Sequence, residues 1–144
     1  MMNQVSRYAA SYGIGACAGI INELLQNTNH WAIVDPSWKV AVIATLGNIY
    51  GYSTMAATAL FDYASRKGVN PWVQVAMATV AAVVVEGVAG QISLKFHKGE
   101  KKWHYPDSWI PLAGGYVSVV STLYFGLGVA AFYWLIYKPL LAQQ

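Results

Sequence analysis

The sequence predicts an all-α fold, an integral membrane bundle of four transmembrane helices forming one domain over residues 1–144. Three observations predict it. First, 56% of the residues are hydrophobic and only 10% are charged, against roughly 25% charged in an ordinary soluble protein. So few charges would hardly cover a water-facing surface. Second, the charges cluster, and the gaps between clusters approach the roughly 20 helical residues that cross a hydrocarbon core. Third, six Trp and ten Tyr supply rings that favour the membrane–water interface.

The four elements follow in order. Residues 8–25, YAASYGIGACAGIINELL, form the shortest segment. Residues 38–61 open after Pro36 and close at Asp62. Residues 71–94 start on Pro71, a residue suited to a first helical turn. Residues 109–137 are long enough to tilt, or to hold a broken first turn around Gly114 and Gly115. Lipid leaves no backbone group unpaired, so these read as helices rather than isolated strands. The connections are short. Loop 26–37 carries Trp31 and Ile33, which suggest a stretch lying on the membrane surface, and loop 95–108 is the only strongly polar stretch. Gly15 with Gly19, and Gly47 with Gly51, form G-x-x-x-G pairs. Such pairs let helix backbones approach closely, with internal packing favoured over a dimer face.

Several function classes find no support. The net charge of +3 suits contact with anionic headgroups, and no basic stripe with interleaved aromatics points to nucleic acid. The single Cys17 excludes an internal disulfide, and His97 and His104 are too isolated to form a metal site. No Walker A, dinucleotide or zincin motif is present, so neither a cofactor nor an enzymatic reaction is predicted. Arg7 and the A-C-A at 16–18 loosely imitate a signal peptide, but Ser11 and Tyr12 interrupt its apolar region. Orientation is nearly balanced. Arg7, Arg66, Lys67 and Lys138 share one side, and Lys39, Lys95, Lys98, Lys101 and Lys102 the other. The density of loop 95–108 favours placing it in the cytoplasm, and the balance also permits insertion both ways.

Glu86 stands out in VAAVVVEGVAG, residues 80–90. It lies about four residues past the middle of its segment, hence about 6 Å off the midplane at 1.5 Å per residue. A charge there is costly, so Glu86 must face the bundle, protonated or paired. Glu23, beside Asn22, would approach Glu86 if the first and third segments pack together. The expected polar site is Glu23, Asn48, Tyr50, Tyr52 and Glu86, with Asn48, Tyr50 or Ser53 as hydrogen-bond partners of Glu86. Asp62 and Arg66 read as a surface i, i+4 ion pair. In the polar loop, Lys95, Lys98, Lys101 and Lys102 are expected on lipid phosphates, with Trp103, Tyr105 and Trp109 at headgroup depth.

Several short motifs run through these segments. Gly19 to Glu23 reads G-x-x-x-E, NIYGYS covers Asn48–Ser53, Glu86 and Gly90 form E-x-x-x-G, and Trp103-His104-Tyr105-Pro106 follows. Gly115, Thr122, Phe125, Gly126 and a closing Pro139-Leu140 complete the series. In these motifs the chain resembles the ABC-transporter type IV family of small bacterial polytopic membrane proteins, over about residues 13–140. Asn48, Ser53 and His104 stand where that family has Pro, Gly and Asp. The resemblance implies a permease-like or transporter-associated role in a bacterial inner membrane, with any ATPase on a separate subunit. The composition is equally that of a non-catalytic scaffold of a larger membrane complex. Either way, lipids and a homo-oligomer or larger complex are the expected partners.

Overall fold

The computed structural model describes residues 2–26, 37 and 39–142. Its helices are α1 (Gln4–Gln26), α2 (Lys39–Arg66), α3 (Pro71–Phe96) and α4 (Val119–Phe132), which winds on in π-helical form over Tyr133–Leu141. The chain is therefore all-helical, and α3 and the stretch Val119–Leu141 are long and apolar enough to cross a membrane. The first three helices contain the predicted segments, apart from the opening residue 38. Trp31 and Ile33, expected on the membrane surface, lie outside the described residues.

Local chemistry sets the boundaries. Asn70 caps α3 by accepting from the Trp72 amide at 2.9 Å, with Pro71 in the first turn. The predicted fourth segment, 109–137, is not one helix. Residues 107–109 form a 3-10 turn, and Pro111–Leu112 pairs antiparallel with Val117–Ser118. Gly114 and Gly115, at φ of +71° and +89°, turn the chain between those two short strands. Helix α4 then starts on a reciprocal Ser118–Ser121 capping box.

The core is built outward from the antiparallel α1–α2 pair. Every fourth residue of α1, namely Arg7, Ser11, Gly15, Gly19 and Glu23, faces α2. Arg7 Nη2 meets Asp62 Oδ1 at 2.7 Å, and the Thr58 hydroxyl donates to Ser11 Oγ at 2.8 Å. A methyl group on Gly15 would lie 2.7 Å from the Tyr50 carbonyl oxygen, and one on Gly19 2.6 Å from Tyr50 Cβ. Both contacts are too close for any side chain. Gly47 and Gly51 receive Ile20 and Tyr12 in the same way. The two G-x-x-x-G pairs therefore serve packing within the chain. Helix α3 packs on α2, and α4 on α3. Phe61, Val75, Ala78, Phe132, Tyr133 and Tyr137 fill the space between them.

The burial pattern is inverted relative to a water-soluble bundle. Arg7, Ser11, Glu23, Thr58, Asp62, Gln74 and Glu86 are buried, whereas Leu25 is 74% exposed, Leu127 70% and Leu135 72%.

One expectation is corrected here. Asp62 does not pair with the Arg66 guanidinium. Arg66 Nε donates to the Asp62 carbonyl, and the Asp62 carboxylate turns inward to Arg7. The same carboxylate oxygen accepts from the Tyr137 hydroxyl at 2.8 Å, and Arg7 Nε donates to the Leu141 carbonyl. The outward position lets Arg66 stay in solvent, while the buried Arg7 requires an anion. Arg7→Leu is expected to destabilise the fold by about 3–5 kcal/mol, because an unpaired carboxylate would remain buried. In thermal unfolding in detergent, adding Asp62→Leu should recover most of that loss.

Candidate functional site

Glu86 is 1% exposed. It lies ten residues before the last residue of α3, about 15 Å from that end at 1.5 Å per residue. Its partner comes from the loop after α3, which folds back along the helix. The Tyr105 hydroxyl donates to Glu86 Oε1 at 3.0 Å. Gly90, one turn beyond Glu86 on the same face, makes this return possible. A methyl group there would lie 2.6 Å from Tyr116 Cβ. Further contacts hold the loop down. The Tyr105 amide donates to the Gly115 carbonyl at 2.8 Å, and Gln91 Nε2 donates to the Ala113 carbonyl at 3.1 Å. The Trp103 and Tyr116 rings meet edge to face at 5.3 Å. Ile110 and Ala113, at φ of 55° and 49°, carry backbone strain in this segment.

A second carboxylate sits alongside. Glu23, 2% exposed, accepts from the Tyr50 hydroxyl at 3.3 Å. Tyr50 and Glu86 lie within electrostatic reach of each other and of both Glu23 and Tyr105. Neither carboxylate has an ion-pair partner among the described residues. Among the described residues, Glu86 Oε2 is buried with no hydrogen-bond partner, as is the Ser53 hydroxyl. Below these groups a cavity of about 420 Å³ lies between α1 and α4. Its polar end is lined by Asn22, Tyr50, Ser53, Tyr105 and Ser121, and its long apolar remainder includes Ile14, Ala18, Ala82, Val129, Phe132 and Ile136. No group of three or more His, Cys, Asp or Glu among the described residues is arranged to hold a metal ion.

The sequence-predicted site divides. Glu23, Tyr50 and Glu86 come together. Asn48 and Tyr52 do not: both are exposed and face Tyr12 instead. The Tyr12 hydroxyl donates to Asn48 Oδ1, and the Tyr12 and Tyr52 rings meet at 5.1 Å. The reason is helical geometry. Residues 48 and 52 are each two positions from Tyr50, about 200° round the helix. The expected hydrogen-bond partner of Glu86 is also replaced, since Tyr105 supplies it rather than Asn48, Tyr50 or Ser53.

The loop set divides too. Lys95 and Lys98 are exposed. Trp103 and Tyr105 are instead 1% and 3% exposed and fold inward. Trp109 stacks between Tyr105 and Tyr124 at ring distances of 5.4 and 6.0 Å. Lys101 is exposed, with Nζ on the Gly114 carbonyl, and the buried Lys102 pairs with Glu100 at 2.9 Å. Ser121 and the role of Tyr105 were missed. The E-x-x-x-G spacing of Glu86 and Gly90 was the available signal, since it leaves a ring-sized notch beside the carboxylate.

Comparison with protein-family models, curated proteins and solved structures found no match to this chain.

Tyr105→Phe removes the one hydrogen bond that Glu86 accepts among the described residues and should cost about 1–3 kcal/mol, the penalty for an unsatisfied buried acceptor. Tyr50→Phe, which breaks a 3.3 Å bond, should cost less. Midpoints from paired thermal melts of the two variants would test that order.

Proposed function

We propose that this chain is a multi-pass protein of the bacterial inner membrane, with four spans and a permease-like or transporter-associated role. Its working site is the carboxylate pair Glu23 and Glu86 with Tyr50 and Tyr105. Glu86 Oε2 carries the reading, because it is a buried acceptor left without a partner beside a cavity. An isolated carboxylate in a dry interior is costly, and the cost is met by a proton or by a cationic group on a substrate. Two such carboxylates with no Lys or Arg paired to them among the described residues favour exchange of positive charge over a purely structural role. Fixed polar networks are completed, as the one around Asp62 nearly is.

One further observation supports the membrane reading. Aliphatic side chains dominate the outward faces while the polar groups turn inward. The relationship to the ABC-transporter type IV family draws support from the site itself. The motif residues Glu23, Tyr50, Glu86, Gly90, Trp103 and Tyr105 converge on this site, and Phe125 stacks on Tyr50 at 5.4 Å. Lys95 and Lys98, exposed at the end of α3, are placed to meet anionic headgroups.

In vesicles reconstituted with the purified protein, Glu86→Gln should abolish or uncouple pH-dependent flux while leaving the fold intact. Unchanged flux in that variant would refute the transport role. Mild-detergent purification separates this role from a scaffold in a larger assembly, which would bring down unrelated polypeptides in fixed stoichiometry.

A further inference from the structure

The shape of the cavity says more about what it holds. Helix α1 packs along α2, and α4 along α3. Helices α1 and α4 meet at the Arg7 end, where Arg7 Nε reaches the Leu141 carbonyl. Beyond that contact the cavity separates them, with α2 and α3 as its floor. Along α4 its lining runs from Ser121 to Ile136, about 20 Å at 1.5 Å per residue. Spread over that length, 420 Å³ of room for the centres of water-sized molecules describes a slot about 8 Å across from wall to wall. A helix, about 10 Å wide, does not fit. One extended hydrocarbon chain does, given carbon–carbon contacts of about 4 Å. Ala18, Gly128 and Ala131 line the slot and are exposed, so it opens sideways along the α1–α4 seam.

The two ends differ chemically. Toward Ile136 the walls are apolar. At the other end stand the Ser53 hydroxyl, with no partner among the described residues, and Tyr50 and Tyr105, whose phenols donate to Glu23 and Glu86. Two carboxyl groups with no ion-pair partner among the described residues therefore lie behind one end of an apolar slot. An amine head can hold a proton there and pair with them, an anionic head would be repelled by any charge they carry, and a neutral head gains no ion pair.

We propose that the α1–α4 cavity binds a single-chain amphiphile with a protonated amine head, entering from the bilayer through the seam. The ammonium lies at the Tyr50–Tyr105 end, drawn by Glu86 and Glu23, and the alkyl chain lies along α4. This rests on the reading of the carboxylate pair as the working site, and it names the class of compound that the site takes.

Native mass spectrometry of the purified full-length protein with dodecylamine, dodecanol and dodecanoate tests it, because the three share a tail and differ in the head. Dodecylamine should bind one to one, and about tenfold or more tighter than dodecanol, the margin expected for a hydrogen bond to a charged group. Dodecanoate should bind most weakly. This head-group series needs no variant, so a misfolded mutant cannot obscure it. Glu86→Gln should erase the preference for the amine while keeping affinity for the tail. Gly128→Leu should remove binding of all three, because a side chain at Gly128 meets only open space and would fill the slot without displacing its walls. Equal binding of amine and alcohol, or undiminished amine binding by Gly128→Leu, would overturn the proposal. Flux that depends on Glu86 in a protein showing either result would leave the transport role standing and this ligand class rejected.

Discussion

Polar groups on the inner faces of this bundle have only one another to pair with, because the outward faces are aliphatic. The seam between α1 and α2 shows how the chain meets that constraint. A four-residue repeat on α1 places Arg7, Ser11, Gly15, Gly19 and Glu23 in one row. The matching row on α2 offers Asp62, Thr58, Thr54 and Tyr50. Where both helices carry a polar group, the two bond, as Arg7 does with Asp62 and Thr58 with Ser11. Where α1 carries glycine, the α2 side chain or backbone fills the gap. Close approach and polar pairing thus depend on each other. Larger residues at 15 and 19 would part the helices and break the hydrogen bonds at both ends of the row.

Much of this was legible in the sequence. Long apolar runs gave the helices, because backbone pairing in a low-polarity medium leaves few alternatives. Pro71 and the Gly pairs gave a boundary and the packing face. The inward turn of Glu86 followed from its cost elsewhere. What escaped depended on contacts distant in sequence. Arg7 read as a flanking charge, although its i, i+4 relation to Ser11 and Gly15 already placed it on the packed face. Tyr50 was grouped with Asn48 and Tyr52 because they are neighbours in the chain, whereas a helix sends residues two apart to opposite sides. Tyr105 and Trp103 looked interfacial by residue type. The notch at Gly90 and a break at Gly114–Gly115 were visible locally, but that the loop uses them to double back along α3 depends on contacts between residues far apart in the chain.

The doubled-back loop changes how the chain passes from α3 to α4. Helix α4 starts at Val119 beside Gly87, where the Val117 side chain packs. It ends beside the α2–α3 turn, and the Trp72–Trp134 pair at 4.4 Å fixes that register. The remaining depth on the Glu86 side is filled by the 3-10 turn, the short strand pair and the aromatic side chains of residues 103–118. A continuous helix would bond its own backbone and offer Glu86 only side chains from its surface. The broken segment instead delivers the Tyr105 hydroxyl end-on to a carboxylate two to three turns inside the bundle.

The bundle thus carries two buried acidic clusters with opposite balances. Around Asp62 the charge is matched by Arg7, a tyrosine adds a second hydrogen bond, and the same arginine ties down the end of α4. Around Glu86 and Glu23 there are two acids, two tyrosines and, among the described residues, no paired cation. The matched cluster lies where α1 and α4 meet, and the unmatched one lies beside the cavity that parts them. A chain selected for stability alone would gain by completing the second cluster with a Lys or Arg, or by replacing its acids with apolar residues. Retaining two uncompensated carboxylates beside an open slot is the arrangement expected when the missing positive charge comes from outside the chain and leaves again.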